Sequence, residues 1–227
     1  MMRALWTAGS GMKAQQFNVD VIANNLSNVN TVGYKKSRVE FKDLLYQTLD
    51  RAYVLETEGR PVNLQVGHGT APVATVRSFD NGNLEMTDNP LDVAIDGDGF
   101  FTVMGPAGNV VYTRAGNFKI GFTEEGYKLT TSEGYAVLDD TESEIYLDDI
   151  DVTTLIISSS GEISYKDETG ETVSLGQKLG IVKFPNNNGL LNIGGNLYEA
   201  TDASGEPILN DESANPCVVM QRYLEAS

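Results

Sequence analysis

The side chains of this sequence that carry chemistry are few and scattered. His68 is the sole histidine, set in Val66-Gly-His-Gly-Thr70. A His-based metal site needs further ligands at close spacing, and a Ser-His-Asp triad needs its partners. Neither motif surrounds His68, which reads as a loop residue. Cys217, the single cysteine, has no local motif that would join it to His68 as a thiol dyad. Asp96-Gly-Asp-Gly99 superficially matches a calcium loop, but that pattern needs more oxygen ligands and a closing Glu, where this chain has Ala107. A β-turn accounts for it better. Asp139-Asp140 and Asp148-Asp149-Asp151 read likewise as solvated acidic edges. Gly97 and Gly99 lack the third glycine and the helix of a dinucleotide fingerprint. Carboxylates abound, yet no two are paired by sequence as a glycosidase would need. No catalytic residue, metal ligand or cofactor site is assigned, and the chain is read as a non-enzyme.

The informative pattern lies in the first 34 residues. Leu5, Met12, Val19 and Leu26 recur every seven residues, and Ala8, Gln15, Ile22 and Val29 come three residues later in each heptad. This spacing makes one stripe along a helix, apolar except at Gln15. No proline precedes Pro61, so a helix of about 30 residues, roughly 45 Å long, is allowed. Gly33 marks its expected stop.

The other faces of this helix are poor in charge. Between Ala14 and Tyr34 the only charged residue is Asp20, and neutral amides and hydroxyls fill the rest. A helix lying on its own domain normally shows water a Lys/Glu face. Asn and Ser are mediocre helix formers, and Gly9 and Gly11 each cost about 1 kcal/mol relative to Ala. Such a helix depends on packing rather than propensity. It is read as an assembly helix, with Leu5, Met12, Val19, Ile22, Leu26 and Val29 as buried self-assembly contacts. Asn24, Asn25 and Asn28 are assigned to amide hydrogen bonds that fix register between subunits.

Composition narrows the partners. The 227 residues suffice for one or two domains, and 23 glycines predict many turns. Residues 1–60 carry eight Lys/Arg against six Asp/Glu, a balance of +2, whereas residues 61–227 carry eight against 26, a balance of −18. An acidic body argues against nucleic acid and against an anionic membrane surface. It favours solubility and suppresses premature association. One cysteine permits no intramolecular disulfide. No transmembrane run or classical signal peptide is present, so the protein is expected to be cytoplasmic or to leave by a route without a cleaved signal.

Residues 35–70 read as a connector, partly helical and then extended. Phe41, Leu44, Leu45 and Leu49 share a possible short-helix face, and Gly59, Pro61, Gly67 and Gly69 interrupt the remainder of the connector. Residues 71–215 form short β-rich runs split by Gly-Asp-Gly, Glu-Glu-Gly, Ser-Glu-Gly and Asn-Asn-Gly turns. This predicts an all-β domain, an irregular antiparallel β-sandwich or barrel. Residues 216–227 are read as opening another helix through Val218-Val219-Met220 and Tyr223-Leu224. The fold class is therefore mainly β with a long N-terminal α-helix.

The motifs also carry a resemblance. Met1-Met-Arg-Ala-Leu-Trp-Thr-Ala-Gly-Ser-Gly-Met and Asn24-Asn-Leu-Ser-Asn-Val-Asn-Thr-Val-Gly-Tyr-Lys35 are similar to the N-terminal signature of the flagellar basal-body rod and hook proteins. Phe41-Lys-Asp-Leu-Leu-Tyr-Gln47 and Leu64-Gln-Val-Gly-His-Gly69 resemble the distal-rod members more than the hook or proximal-rod members. Leu91–Phe101 and Tyr112-Thr-Arg-Ala-Gly-Asn-Phe118 are similar to the family's β-domain motifs.

The resemblance implies a structural homopolymer, a helical tube that transmits motor torque to the hook and encloses the export channel. It implies contacts with proximal rod, hook and bushing ring proteins, export by the flagellar type III apparatus, and an extracytoplasmic place in the basal body. It also implies that an inner tube is built from the N-terminal helix and a second, C-terminal helix. Residues 216–227 would be the truncated start of that partner. The other reading of the residues is an all-β module binding calcium or polysaccharide, with the helix as attachment.

Overall fold

The computed structural model describes residues 2–54, 59–60, 62–123, 126–147, 150–167, 170–210 and 215–227. The chain divides into two compact units, one of residues 1–27 with 36–78, the other of residues 28–35 with 79–227.

The first unit holds the N-terminal helix, Met2–Ser27. Its larger sheet pairs strand Ser37–Asp43 antiparallel with Thr70–Arg77, with a register shift between Glu40 and Phe41. Strand Tyr46–Asp50 pairs with Leu64–Gly67, and Tyr53–Val54 with Gly59–Arg60. Residues 35–49, read in part as helical, are thus strand. Val39 and Phe41 suit an extended chain that alternates its faces, and the sheet offers backbone partners that a short isolated helix lacks.

The helix itself stops at Ser27, short of the boundary expected near residue 34. The Ser27 hydroxyl donates back to Asn24 O at 2.9 Å, and Thr31 N donates to Asn28 O at 3.0 Å. A Ser hydroxyl that takes up a helix carbonyl in this way competes with the continuing backbone ladder. Gly33 remains a positive-φ turn residue (φ 68°), within the turn after the helix rather than at its cap.

The second unit is built on a six-stranded sheet in the order Leu191–Gly194, Leu197–Glu199, Val110–Thr113, Phe100–Met104, Ile181–Lys183, Ile208–Leu209. Every neighbouring pair in it is antiparallel. Side chains alternate across it, so Phe101, Val103, Val111 and Ile181 enter one buried cluster. Phe100, Tyr112, Val182 and Tyr198 enter another on the opposite side. Phe79 meets Phe100 and Tyr198 edge-on in the second cluster, at centroid distances of 5.5 and 5.6 Å. Smaller antiparallel sheets complete the unit, and among the described residues none of them closes into a barrel.

Residues 216–227 depart from the expected helix. Strand Val218–Gln221 pairs with Val93–Asp96, and Tyr223–Glu225 pairs with Leu84–Met86. Val219 is buried and Val218 exposed, the alternation of a strand, and β-branched pairs favour that geometry. The β-rich unit consequently includes residues 216–227, and its main segment runs from Phe79, with residues 28–35 joined to it.

Candidate assembly surface

The N-terminal helix turns its small and polar face inward and its apolar stripe outward. Ser10, Ala14, Asn18, Val21 and Asn25 lie at spacings of three and four, and Ala14 is buried while the others are half-buried. This face packs on the sheet formed by Ser37–Asp43 and Thr70–Arg77. The opposite face keeps Leu5 69%, Met12 69%, Val19 61%, Ile22 55% and Leu26 71% exposed. Burying each such side chain is worth about 1.5–3 kcal/mol. Five of them stand in water on this one face.

Two contacts set the rotation of this helix. The Asn25 carboxamide donates to Ser37 O at 2.7 Å and accepts from Ser37 N at 3.0 Å. At the other end, Gly69 (φ 112°) lies so close to the helix that a Cβ there would stand 2.1 Å from Ser10 Oγ. The first contact changes the assignment of one residue. Asn25, placed among the intersubunit amides, is engaged inside its own unit. The Asn24 backbone carbonyl accepts from the Ser27 hydroxyl, and the Asn28 carboxamide oxygen accepts from the Thr31 hydroxyl at 3.3 Å in the turn of the second unit. Val29 also lies in that turn, 52% exposed, and is not on the helix.

The candidates for other chemistry are placed as turns and packing. His68 comes directly after Leu64–Gly67, its N–H donating to Leu45 O at 3.1 Å. Cys217 is buried in the second unit. Its backbone is gripped by Asn210, which accepts from its N–H at 2.6 Å and donates to its C=O at 3.1 Å. Burial pushes its thiol pKa up against the opposing effect of Lys183. Asp96 and Gly99 bound the turn into Phe100–Met104, with Asp96 accepting from Asn81 at 2.9 Å. Asp139 accepts from Thr141 and Ser143 backbone N–H groups, an acidic turn closed on itself. Asp151 caps a short 3₁₀ turn, and its hydrogen bonds from Thr153 hold its carboxyl below the usual range. Asp148 and Asp149 lie outside the described residues. Among the described residues no three His, Cys, Asp or Glu gather as a metal site.

A buried ionic group in the second unit is not legible in the sequence. Lys35 Nζ lies 2.6 Å from Glu225 Oε1, with both side chains almost fully buried. Arg114 Nε stands 3.2 Å from Glu225 Oε2, at ion-pair distance but out of hydrogen-bond line. The other Arg114 nitrogens donate to Gly97 O, Gly99 O and Asn81 Oδ1 at 2.6, 2.5 and 2.9 Å, and Nη2 also donates to Glu225 Oε1 at 3.3 Å. Lys35 also donates to Asp80 O, and Gly82 N donates to Glu225 Oε1, both at 2.7 Å. Burial would raise the Glu225 pKa, but Arg114, Gly82 N–H and Lys35 outweigh it and hold the carboxyl below its ordinary value. Burial and the Arg114 charge push the Lys35 ammonium pKa down, against the pull of Glu225. The group joins residues 190 positions apart, so the turn after the helix is tied to the last strand of the β unit. Its signal is indirect. Lys35 and Arg114 each sit in a motif that carries the family resemblance, but nothing in their spacing names Glu225.

Known proteins share this arrangement of motifs. Residues 5–35 match the family model "Flagella basal body rod protein", and residues 94–165 match "Flagellar hook protein FlgE/F/G D1 domain". The flagellar basal-body rod protein FlgG of Borreliella burgdorferi is 49% identical over 92% of this chain and 77% of its own length. That of Buchnera aphidicola from Acyrthosiphon pisum is 42% identical over 100% of this chain and 85% of its own. The Caulobacter vibrioides protein of the same name is 40% identical, again over 100% and 85%.

Proposed function

The chain belongs to the flagellar basal-body rod protein family, and we propose that it builds the distal rod by polymerising through the apolar stripe of its N-terminal helix. It is a structural subunit of the flagellum, not an enzyme. The observation that carries the assembly reading is the outward stripe of Leu5, Met12, Val19, Ile22 and Leu26 on a helix whose polar face is already engaged. Head-to-tail contacts that do not close into a ring generate a helical polymer. Apolar side chains packed at interior density give such a polymer the stiffness that torque transmission to the hook requires. A tube of this kind also leaves an axial channel for exported subunits.

Proximal rod and hook proteins are the neighbours at its two ends, and bushing rings surround it where present. The extracytoplasmic basal body is its place, reached through the type III apparatus. Among the described residues no helix is long and apolar enough to cross a membrane.

The test is polymerisation of the full chain with Met12→Asp and Val19→Asp combined, monitored by light scattering and electron microscopy. The account expects the wild type to form polymers and the variant to stay monomeric with unchanged helix content by circular dichroism. Polymers formed equally well by the variant overturn it.

A further inference from the structure

The two units differ sharply in charge. The helix unit carries eight Lys/Arg against six Asp/Glu, a net +2, and the β unit eight against 26, a net −18. Within the β unit, Lys35 and Arg114 are buried around Glu225, and Lys128 faces Glu144 at 3.1 Å. Asp92 and Asp139 are buried as well, and the rest of its carboxylates leave the outer surface strongly acidic.

The cations of the helix unit are not spread evenly. Successive side chains of strand Ser37–Asp43 point to opposite faces, and exposure alternates over Ser37–Glu40 before every residue from Glu40 to Asp43 is exposed. Ser37 and Val39 are half-buried toward the helix, while Lys36, Arg38, Glu40 and Lys42 are exposed on the other side. Beside them on the paired strand stand Val76, Ala74 and Ala71, small residues that leave the cations standing proud. Arg38 reaches Glu40 at 3.2 Å, an exposed pair of little worth in water. Among the described residues no ion pair is made by Lys36 or Lys42. One face of this two-stranded sheet is covered by the helix, and the other presents a net basic strip with no cover.

We propose that this basic strip, Lys36, Arg38 and Lys42, docks on the acidic β unit of a second copy of this chain. The ground for it is charge complementarity, a compact basic face on one unit against a unit of net −18. Repeated head-to-tail without closing, such contacts extend a polymer. Their contribution is to orientation and rate of addition more than to final affinity. The docking rests on the proposed polymer, and supplies the lateral or axial contact that the stripe alone does not orient.

The test is sedimentation equilibrium of the full chain between about 10 mM and about 100 mM salt, where the Debye length falls from about 30 Å to about 10 Å. Four chains are compared: wild type, Met12→Asp, the triple variant Lys36→Glu/Arg38→Glu/Lys42→Glu, and a control Arg3→Glu/Lys13→Glu/Arg51→Glu with the same net charge as the triple variant. The docking expects wild-type association to weaken with salt, and the strip variant to be weaker at low salt on the order of tenfold. The control should keep the wild-type salt response. Association that strengthens with salt, as repulsion between like β units alone would give, overturns the docking. So does an equal loss in the control, or no loss in the strip variant. A strip variant that still forms polymers at wild-type strength removes this contact while leaving the stripe reading standing. Loss of polymers in Met12→Asp with salt-sensitive pairing retained supports both.

Discussion

The Asn25 carboxamide closes on both backbone polar groups of Ser37, donating to its C=O at 2.7 Å and accepting from its N–H at 3.0 Å. One side chain thereby takes the place of a neighbouring strand at the start of Ser37–Asp43. It also fixes which face of the helix meets the sheet, and hence which face stays in water. Asn25→Ala removes both bonds and should lower the stability of the helix unit by about 1–3 kcal/mol. Urea denaturation monitored by helix circular dichroism measures it, and Asn25→Asp, which keeps only the acceptor, should fall between the two.

The Lys35–Glu225–Arg114 group should be sensitive to removal of its one carboxylate. Glu225→Gln leaves two buried cations facing each other, and breaking a buried pair in this way costs about 3–5 kcal/mol. The same denaturation experiment, read by the β-unit signal, should show the loss, while Glu40→Gln at the exposed Arg38 pair changes stability by less than about 1 kcal/mol.

The same group gives a pH dependence with a definite sign. The folded pKa of Glu225 lies below its ordinary value of 4.5. Its contribution is therefore complete above that value. As pH falls through it, the unfolded chain binds a proton that the folded chain does not, and stability is lost. A melting series through the acid range should show a slope for the wild type that is flattened in Glu225→Gln.

Gly116 tests the close approach of two backbones. A Cβ there would stand 1.6 Å from Val93 O, and Val93 N already donates to Gly116 O at 2.9 Å. No side-chain rotation relieves that overlap, so Gly116→Ala should cost about 3 kcal/mol or more, or prevent folding of the β unit. Gly108→Ala is the comparison: its Cβ meets nothing within 4 Å, but its φ of 75° imposes a smaller cost.

What was legible in the sequence was what repeats locally. The seven-residue spacing of Leu5, Met12, Val19 and Leu26 placed a stripe on one helix face, and the structure leaves that face exposed. The short runs between glycine turns marked antiparallel strands such as Val110–Thr113. The Asn25–Ser37 contact is not legible because an amide's partner is set by tertiary approach, and Ser37 is 12 residues away. Val218–Met220 and Tyr223-Leu224 are too short for periodicity to separate strand from helix. Pairing with Val93–Asp96 and Leu84–Met86 decides it. Glu225 reads as one acidic residue among many until Lys35 and Arg114 close on it.

The most direct measurement is thiol protection along the stripe. With Cys217 buried, Met12→Cys or Val19→Cys supplies the reactive thiol in the full chain, and Ala107→Cys, in an uncharged turn, serves as an exposed control on the β unit. The account predicts that both stripe thiols react with a maleimide quickly in the monomer and become strongly protected in the polymer, while the control stays reactive. Stripe thiols that react equally fast in both states would contradict the claim that this helix face holds the rod together.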